Sequence, residues 1–355
     1  MADTVKSRKI LRTQPQMTRV LIALVPCIAG GIYYFGWRSL AMIILACVVG
    51  FITEWLFCRN RKEPVTEAVF VTAVLFALIM PPTVGWHVII IGMIFAVMFS
   101  KEVFGGFGRN IFNPALAGRC FVYICFPYAL TGLWAPVAEG PWGALDKWTT
   151  APTSQQVITG ATPLSDLKAG NLIVTNKKEQ TQEWQTKLNT DKDATIFVEP
   201  ATIFKSLTFG RISGTMGVTS ALLITIGGIY LFWNKTASRA IILSVIISYM
   251  LWNQILTWFG VPRFYGPIFP ILSGGFLFGA FYMATDPVSS PKKTASRIIY
   301  GIIIGTSTMV IRNFSIFNGG LMFSILIGNM FAPILDYAVD AYTASKKTKL
   351  AGEKS

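Results

Sequence analysis

Ten apolar runs separated by polar stretches are the strongest constraint on how this chain folds. A helix that crosses the hydrocarbon core of a membrane needs about 20 predominantly apolar residues. We expect transmembrane helices over residues 18–36, 38–57, 67–80, 86–99, 111–133, 212–233, 238–259, 268–284, 298–311 and 320–339. The chain is 53% hydrophobic and only 14% charged, whereas soluble domains have about 25% charged residues. The sequence therefore predicts an all-α, polytopic membrane protein.

Three of these runs, 67–80, 86–99 and 298–311, are shorter than a full crossing. Short apolar helices at membrane depth are covered by neighbouring helices, or belong to helices that are broken before they cross. We therefore expect these three helices to be buried or interrupted.

The basic residues are distributed unevenly between the two sides of the predicted helices. With the N-terminus in the cytoplasm, the cytoplasmic stretches carry most of the Lys and Arg residues, and the short outer loops contain Arg38, Arg263 and Arg312. Cytoplasmic loops carry an excess of basic residues, so this asymmetry predicts ten helices with both termini in the cytoplasm. Loops that face anionic lipid also account for the net charge of +14, and nucleic acid is not an expected partner.

A long polar stretch, 134–210, divides the chain into two halves of five predicted helices each. Because five is an odd number, the halves enter the membrane with opposite orientation, which predicts an inverted repeat. The alternative is that the prolines at similar places in the two halves simply mark helix ends. We expect an N-terminal cytoplasmic segment 1–17, a first membrane half 18–133, an outer-face loop 134–210, a second membrane half 211–340 and a Lys-rich cytoplasmic tail 341–355.

The single histidine, His87, and the scattered cysteines leave too few ligands or bases for a zinc site or a hydrolytic triad. The five cysteines lie in or beside apolar runs without a CxxC pair, and we interpret them as small core residues. Cys120 and Cys125 are compatible with one helix face, so a metal cluster shared with another protein of a complex is an open alternative. The first apolar run has no small-residue cleavage site, which predicts an uncleaved helix.

A stretch rich in glycine and asparagine, 102–115, connects the fourth and fifth predicted helices. Gly105 and Gly106 allow a ligand to approach the backbone closely, and the amides of Asn110 and Asn113 suit a planar heterocycle such as a flavin or a quinone. The stretch lacks the GKS/T ending of a phosphate-binding loop. The alternative is a tight cytoplasmic turn that binds no ligand.

Acidic residues beside the apolar runs are candidates for a cation path, because a charge at membrane depth is costly and usually functional. Glu67, Asp286 and Asp336 each have a proline nearby that interrupts regular helix, and freed carbonyls beside a carboxylate coordinate cations. The alternatives are helix capping and structural ion pairs. Arg119 and Arg312 are the buried partners that such pairs would use.

A short run of small and hydroxyl-bearing residues lies inside the 134–210 stretch: Thr159, Gly160, Ala161 and Thr162. The Thr162 hydroxyl is sterically open, and Pro163 resists incorporation of this loop into a helix. Such a hydroxyl is available for a covalently attached group. The alternative is a solvated turn, since four small residues recur by chance.

Six runs, in order over most of the chain, resemble one family of membrane flavoproteins. They are residues 71–82, 101–106, 110–119, 159–162, 283–288 and 331–337. The family comprises the membrane flavoproteins of two respiratory complexes, the sodium-translocating NADH:quinone oxidoreductase (Nqr) and the Rnf ferredoxin:NAD oxidoreductase.

The resemblance implies that Thr162 carries FMN through a phosphoester bond, installed by a flavin transferase that recognises residues 159–162. It implies a translocase component of the bacterial inner membrane that is active only within a multi-subunit complex, embedded in lipid. Electrons then pass between flavins while sodium crosses the membrane. In the Nqr branch, a non-covalent riboflavin and ubiquinone follow. By the same resemblance, the residues of the 102–115 stretch are candidates for the riboflavin or quinone site, and the three acidic residues for the cation path.

The branch depends on which features are compared. Residues 102–106, 284–289 and 331–337 are closer to the Nqr flavoprotein. The overall length, the short N-terminus and the Pro163-Leu164 pair after the flavin threonine resemble the Rnf flavoprotein. The branch decides whether electrons end on a quinone or on NAD, and whether sodium or protons move.

Two other classes of protein are compatible with the pattern. One is a secondary transporter with a five-plus-five repeat and no cofactor, and the other is an assembly scaffold that has lost its flavin. A flavin on Thr162 distinguishes the redox protein from both.

Overall fold

The computed structural model describes residues 10–132, 134–138, 140–151, 172–174, 196–198, 200–260, 268–315 and 319–352. Residues 159–162, with the predicted flavin site, lie outside these ranges. The described chain is predominantly helical, which confirms the predicted all-α class. Five of its helices are long and apolar enough to cross a membrane.

The first half contains helices α1 to α6 and one π-helix, π1. Their bounds are α1 Pro15–Phe35, α2 Arg38–Arg61, α3 Ala68–Leu78, α4 Trp86–Val97, π1 Met98–Glu102, α5 Pro114–Cys125 and α6 Pro127–Thr131. The remaining helices are α7 Pro200–Phe209, α8 Ala221–Trp233, α9 Arg239–Trp258, α10 Ile268–Leu272, α11 Phe276–Phe278, π2 Gly279–Met283, α12 Thr294–Phe314 and α13 Gly320–Gly352. The long apolar helices are α1, α2, α9, α12 and the part of α13 up to Lys347.

Two short parallel strand pairs accompany the helices. Strand β1 (Leu11–Arg12) pairs with β2 (Val65–Thr66), Leu11 opposite Val65. Strand β3 (Leu172–Val174) pairs with β4 (Ile196–Val198), Leu172 opposite Ile196. The first pair ties the residues before α1 to those before α3.

One of the three short apolar runs forms a buried helix, as predicted: every residue of α3 except Phe70 is buried. Helix α4 passes into π1 without a break, and half of its residues are buried. The third prediction is wrong, because α12 is a continuous helix of 21 residues. The polar residues near its ends remain within the helix because their side chains have hydrogen-bond partners in other elements. Ser296 Oγ donates to Leu335 O at 3.2 Å, and Arg312 donates to three backbone carbonyls.

The two halves meet where α1 packs against α8. A Cβ at Gly227 would overlap Ala23 O and the Tyr282 hydroxyl, so the close approach of these helices requires glycine. Tyr282 Oη lies 3.1 Å from Ala23 O and 3.1 Å from Ile224 O. The side chain from π2 therefore joins both central helices.

Two of the helix pairs in contact in the first half have counterparts in the second half. Helix α2 packs on α4, and α4 on α5; in the second half α9 packs on α12, and α12 on α13. This correspondence is what a repeat of five helices predicts. The inversion of the repeat relative to the membrane, the count of ten crossings and the side on which the termini lie stay predictions.

The eighth apolar run, 268–284, is divided into α10, α11 and π2. The helix is broken between α10 and α11 because Gly274 and Gly275 both have positive φ angles (59° and 71°), which residues with a Cβ rarely adopt. Interrupted helices at membrane depth occur where the backbone lines a cavity.

Candidate functional site

A cavity of about 350 Å³, here called the large cavity, lies between α5, the broken helix 268–283 and α13. Its lining includes Thr131 and Trp134, where the long polar segment begins, and Leu207 and Ile212, where that segment ends. The 134–210 segment, which carries Thr162, therefore leaves from and returns to the wall of this cavity. The volume is in the range of small-molecule pockets, about 300–1,000 Å³.

The walls of the large cavity combine apolar and hydroxyl-bearing side chains. Leu116, Met322 and Ile325 supply apolar surface, whereas Thr215 and Ser273 supply hydroxyl groups. Such a lining suits an aromatic ring system with polar edges, because apolar walls desolvate the ring and a few polar groups orient it.

Arg119 is the only charged side chain among the described residues that line the large cavity. Its Nε is buried and has no hydrogen-bond partner. In the part of the chain that the structure describes, no acidic side chain forms an ion pair with it. An uncompensated guanidinium at such a position favours a ligand that is negatively charged or rich in hydrogen-bond acceptors.

A second arginine lies directly behind the wall. Arg312 is 1% exposed and donates to Pro270 O at 2.9 Å, to Gly274 O at 2.7 Å and to Ser273 O at 3.4 Å. Ser273 and Gly274 themselves line the large cavity. Among the described residues, no carboxylate neutralises Arg312 either, so two positive charges act on this cavity.

A second cavity of about 60 Å³, here called the small cavity, lies near the N-terminal ends of α1, α3 and α5. One water molecule needs about 10–15 Å³ of such volume. The small cavity therefore has room for a few waters or a small cation and not for a tricyclic ring. Of the described residues that line it, Lys101 and Asp286 are charged.

Asp286 follows π2 and is half-buried. Its Oδ2 accepts hydrogen bonds from Ser289 Oγ at 2.6 Å and from Ser289 N at 3.3 Å. Burial raises the pKa of the Asp286 carboxyl, and the two Ser289 donors act in the opposite direction. A proton therefore competes with a cation for this group at a higher pH than for an exposed aspartate.

The structure brings Asn110 and Asn113 together with Asp286 around the small cavity. Asn113 Oδ1 caps α5 by accepting from Ala115 N at 3.1 Å and Leu116 N at 3.3 Å, and its Nδ2 donates to Met283 O at 3.3 Å. Asn110 Nδ2 donates to Phe112 O at 3.1 Å. Both amides thus already have structural partners.

Gly105 and Gly106 line neither cavity among the residues described. Their φ angles are +102° and +95°, so glycine is required by the turn itself. A Cβ at Gly106 would also lie 3.0 Å from Nη2 of Arg61, which pairs with Glu102. The geometry of Gly105 and Gly106 therefore agrees with the alternative interpretation of the sequence, a tight turn that binds no ligand.

Comparison with known proteins identifies the family. A family model described as NQR2, RnfD, RnfE matches residues 3–344. The chain belongs to the NQR2, RnfD, RnfE family. It is 35% identical over 301 residues to a component of the Na(+)-translocating NADH-quinone reductase of Pseudoalteromonas atlantica, covering 82% of this chain and 64% of that protein. It is 31% identical over 342 residues to a component of the ion-translocating oxidoreductase complex of Alcanivorax borkumensis, covering 95% and 94%.

A second relative of the NADH-quinone reductase type, from Ectopseudomonas mendocina, is 36% identical over 309 residues, covering 86% of this chain and 67% of that protein. This member of the NQR2, RnfD, RnfE family therefore spans about two thirds of the length of the two NADH-quinone reductase relatives. It spans nearly the whole length of the relative from Alcanivorax borkumensis.

The other two candidates for the cation path in this family member have structural partners. Glu67 accepts from Gln14 N at 2.7 Å and from Thr18 Oγ1 at 2.8 Å, which fixes the start of α1. Asp336 accepts from Lys292 N at 2.8 Å and Lys293 N at 3.2 Å, before α12. Neither belongs to the described lining of the large or the small cavity. Of the three predicted acids, only Asp286 does.

A buried ion pair beside the small cavity was missed by the sequence reasoning. Lys101 Nζ donates to Glu54 Oε2 at 2.6 Å and to Thr66 Oγ1 at 2.8 Å, and Glu54 Oε1 accepts from Thr66 N at 2.9 Å. The exposed fractions of the Lys101 and Glu54 side chains are 3% and 1%. Glu54 thus pairs with Lys101 and not with Arg119 or Arg312. The only indication of this pair in the sequence was one acidic and one basic residue within apolar surroundings, 47 residues apart.

The described residues contain no group of three or more His, Cys, Asp or Glu side chains arranged to hold a metal ion. Cys120 and Cys125 are free thiols, and Cys125 is exposed. A cluster shared with another protein of a complex stays a prediction.

Proposed function

We propose that this chain is the flavin-carrying membrane component of an ion-translocating oxidoreductase complex. FMN is attached to Thr162 by a phosphoester bond, and its ring occupies the large cavity. The chain acts within the bacterial inner membrane, in contact with lipid and with the other proteins of an Nqr- or Rnf-type complex, after a flavin transferase has modified residues 159–162.

The observation that carries this proposal is the connection between the segment and the cavity. The 134–210 segment begins and ends at residues that line the large cavity, so both ends of the segment that carries Thr162 are anchored at its wall. The cavity volume of about 350 Å³, its apolar walls and its uncompensated Arg119 suit a planar ring with an acceptor-rich edge.

The bound flavin would supply the capacity to accept and release electrons. The protein supplies the environment: the apolar residues of α5 and α13 would exclude water from the ring, and the hydroxyl group of Thr215 would bind its polar edge. Arg119 lowers the free energy of negative charge in the cavity.

A riboflavin ring does not fit the small cavity, whose volume is about 60 Å³ and whose asparagines already have partners. The riboflavin and the quinone therefore remain implications of the resemblance, and we assign no electron step to Asn110, Asn113, Gly105 or Gly106.

Both branches are retained in this proposal. The NADH-quinone reductase relatives are the more similar in sequence, at 35% and 36% identity against 31%, which favours sodium export coupled to quinone reduction. The alignment with the relative from Alcanivorax borkumensis extends over 95% of this chain, against 82% and 86% for the other two, which favours the Rnf-type reaction linked to ferredoxin and NAD, with sodium or protons.

We place the cation-binding part of the function at Asp286. Asp286→Asn removes the carboxylate from the small cavity. We expect this variant to slow sodium uptake by the complex in sealed vesicles at least tenfold, which corresponds to a loss of about 1.4 kcal/mol in the free energy of cation binding. Uptake by the unmodified complex should fall as the pH is lowered, because the raised pKa lets protons displace the cation. Asp340→Asn, which removes an exposed carboxylate paired with Lys293, is the control. Unchanged uptake in Asp286→Asn would remove this residue from the path.

Acrylamide quenching tests the location of the flavin. Acrylamide is neutral, so the charge of the large cavity does not bias its approach. In chain purified from cells that contain the flavin transferase, we expect the flavin fluorescence to be several-fold less quenched in the native protein than after unfolding, because the ring is enclosed. Equal quenching in both states would place the ring in solvent. A native chain with no flavin would instead favour the cofactor-free transporter or the scaffold.

A further inference from the structure

Arg119 lines the large cavity that the flavin ring would occupy; this inference rests on the proposed function. The 134–210 segment joins the membrane helices beyond Cys125, the last residue of α5. Arg119 lies six residues before Cys125, about 9 Å along the axis of α5. A ring that fills the large cavity would therefore meet Arg119 within the helical bundle, and not at the end of α5.

The electrostatic surroundings of Arg119 differ from those of a structural arginine. Arg312, at the far side of the wall, uses its guanidinium to satisfy three carbonyls. The Nε atoms of both arginines are buried without a hydrogen-bond partner, but among the described residues no carbonyl accepts from the guanidinium of Arg119 as three do from that of Arg312. Among the described lining residues there is no acid to offset its charge.

We propose that Arg119 sets the reduction potential of the flavin by favouring the reduced, negatively charged ring. An oxidised flavin ring that takes up two electrons and one proton gains one negative charge. The electrons come from a one-electron carrier of a partner protein in the complex and the proton from solvent. A fixed cation in a cavity of low polarity stabilises that added charge and has little effect on the neutral oxidised ring.

Potentiometric titration of the flavin absorbance in the purified chain tests the role of Arg119. Arg119→Gln is expected to reduce the preference of the site for the reduced ring about tenfold, which lowers the midpoint potential by about 30 mV for a two-electron couple. Arg119→Lys keeps the charge and is expected to shift the potential less. Arg211→Gln is the matched control, because Arg211 is an exposed residue beside Ile212 and its charge is screened by water.

If the midpoint potential shifts no more in Arg119→Gln than in Arg211→Gln, the inference is overturned and the flavin proposal stays intact. A wild-type chain that carries no flavin overturns the proposed function itself, so the two failures are distinguishable. If Arg119→Gln does not fold, Ser213→Lys adds a positive charge at a partly exposed position of the cavity wall. It is expected to raise the potential, and no rise would also overturn the inference.

Discussion

Replacing Lys101 with methionine is expected to lower the free energy of unfolding by about 3–5 kcal/mol, because breaking a buried ion pair leaves an uncompensated charge. Glu54, which is 1% exposed, would keep its bonds from Thr66 and lose the ammonium at 2.6 Å. The pair connects α2 to π1 and to the residues before α3. The midpoint of heat- or detergent-induced unfolding, followed by circular dichroism in micelles, measures the effect.

A second substitution separates the charge from the packing. In Glu54→Gln with Lys101→Met, the amide oxygen still accepts from Thr66 and no charge is buried, so we expect the double variant to recover most of the lost stability. Lys346→Met, at an exposed position of α13, is the control and is expected to change stability by less than about 0.5 kcal/mol. A double variant no more stable than Lys101→Met alone would mean that side-chain volume, and not charge, is decisive.

The class of the fold was predictable because the length of an apolar run is enough to identify a membrane helix. The details that depend on distant partners were not. The predicted run 298–311 was too short because Ser296 and Arg312 look like helix ends, yet both donate to carbonyls 38–42 residues away in the chain. The break at Gly274 and Gly275 was equally hidden, because a glycine pair in an apolar run does not reveal its φ angles.

The candidate site was predictable where one short stretch supplies it. Asn110 and Asn113 were identified from composition and do lie at a cavity together with Asp286. The large cavity gave no such signal, because its wall is assembled from α5, residues 207–219, the broken helix 268–283 and α13. Arg119 was visible in the sequence as a charge in an apolar run, but its lack of an acidic partner among the described residues is a property of the folded chain.

Attachment of flavin to Thr162 is expected to be all or none. A phosphoester needs the hydroxyl oxygen, so Thr162→Ala removes the only atom at that position through which the bond forms. Thr162→Ser keeps a hydroxyl and, by the resemblance, the recognition pattern of residues 159–162, so it is expected to retain the flavin. Thr175→Ala alters a threonine of the same segment outside that pattern, and its flavin content should equal that of the unmodified chain.

Flavin fluorescence of the denatured chain on a gel tests the central claim most directly, because only a covalently bound flavin stays with the polypeptide. Chain produced together with the flavin transferase is expected to give one fluorescent band, which persists in Thr162→Ser and Thr175→Ala and is absent in Thr162→Ala. A non-fluorescent wild-type band, or a band of unchanged intensity in Thr162→Ala, would contradict the account.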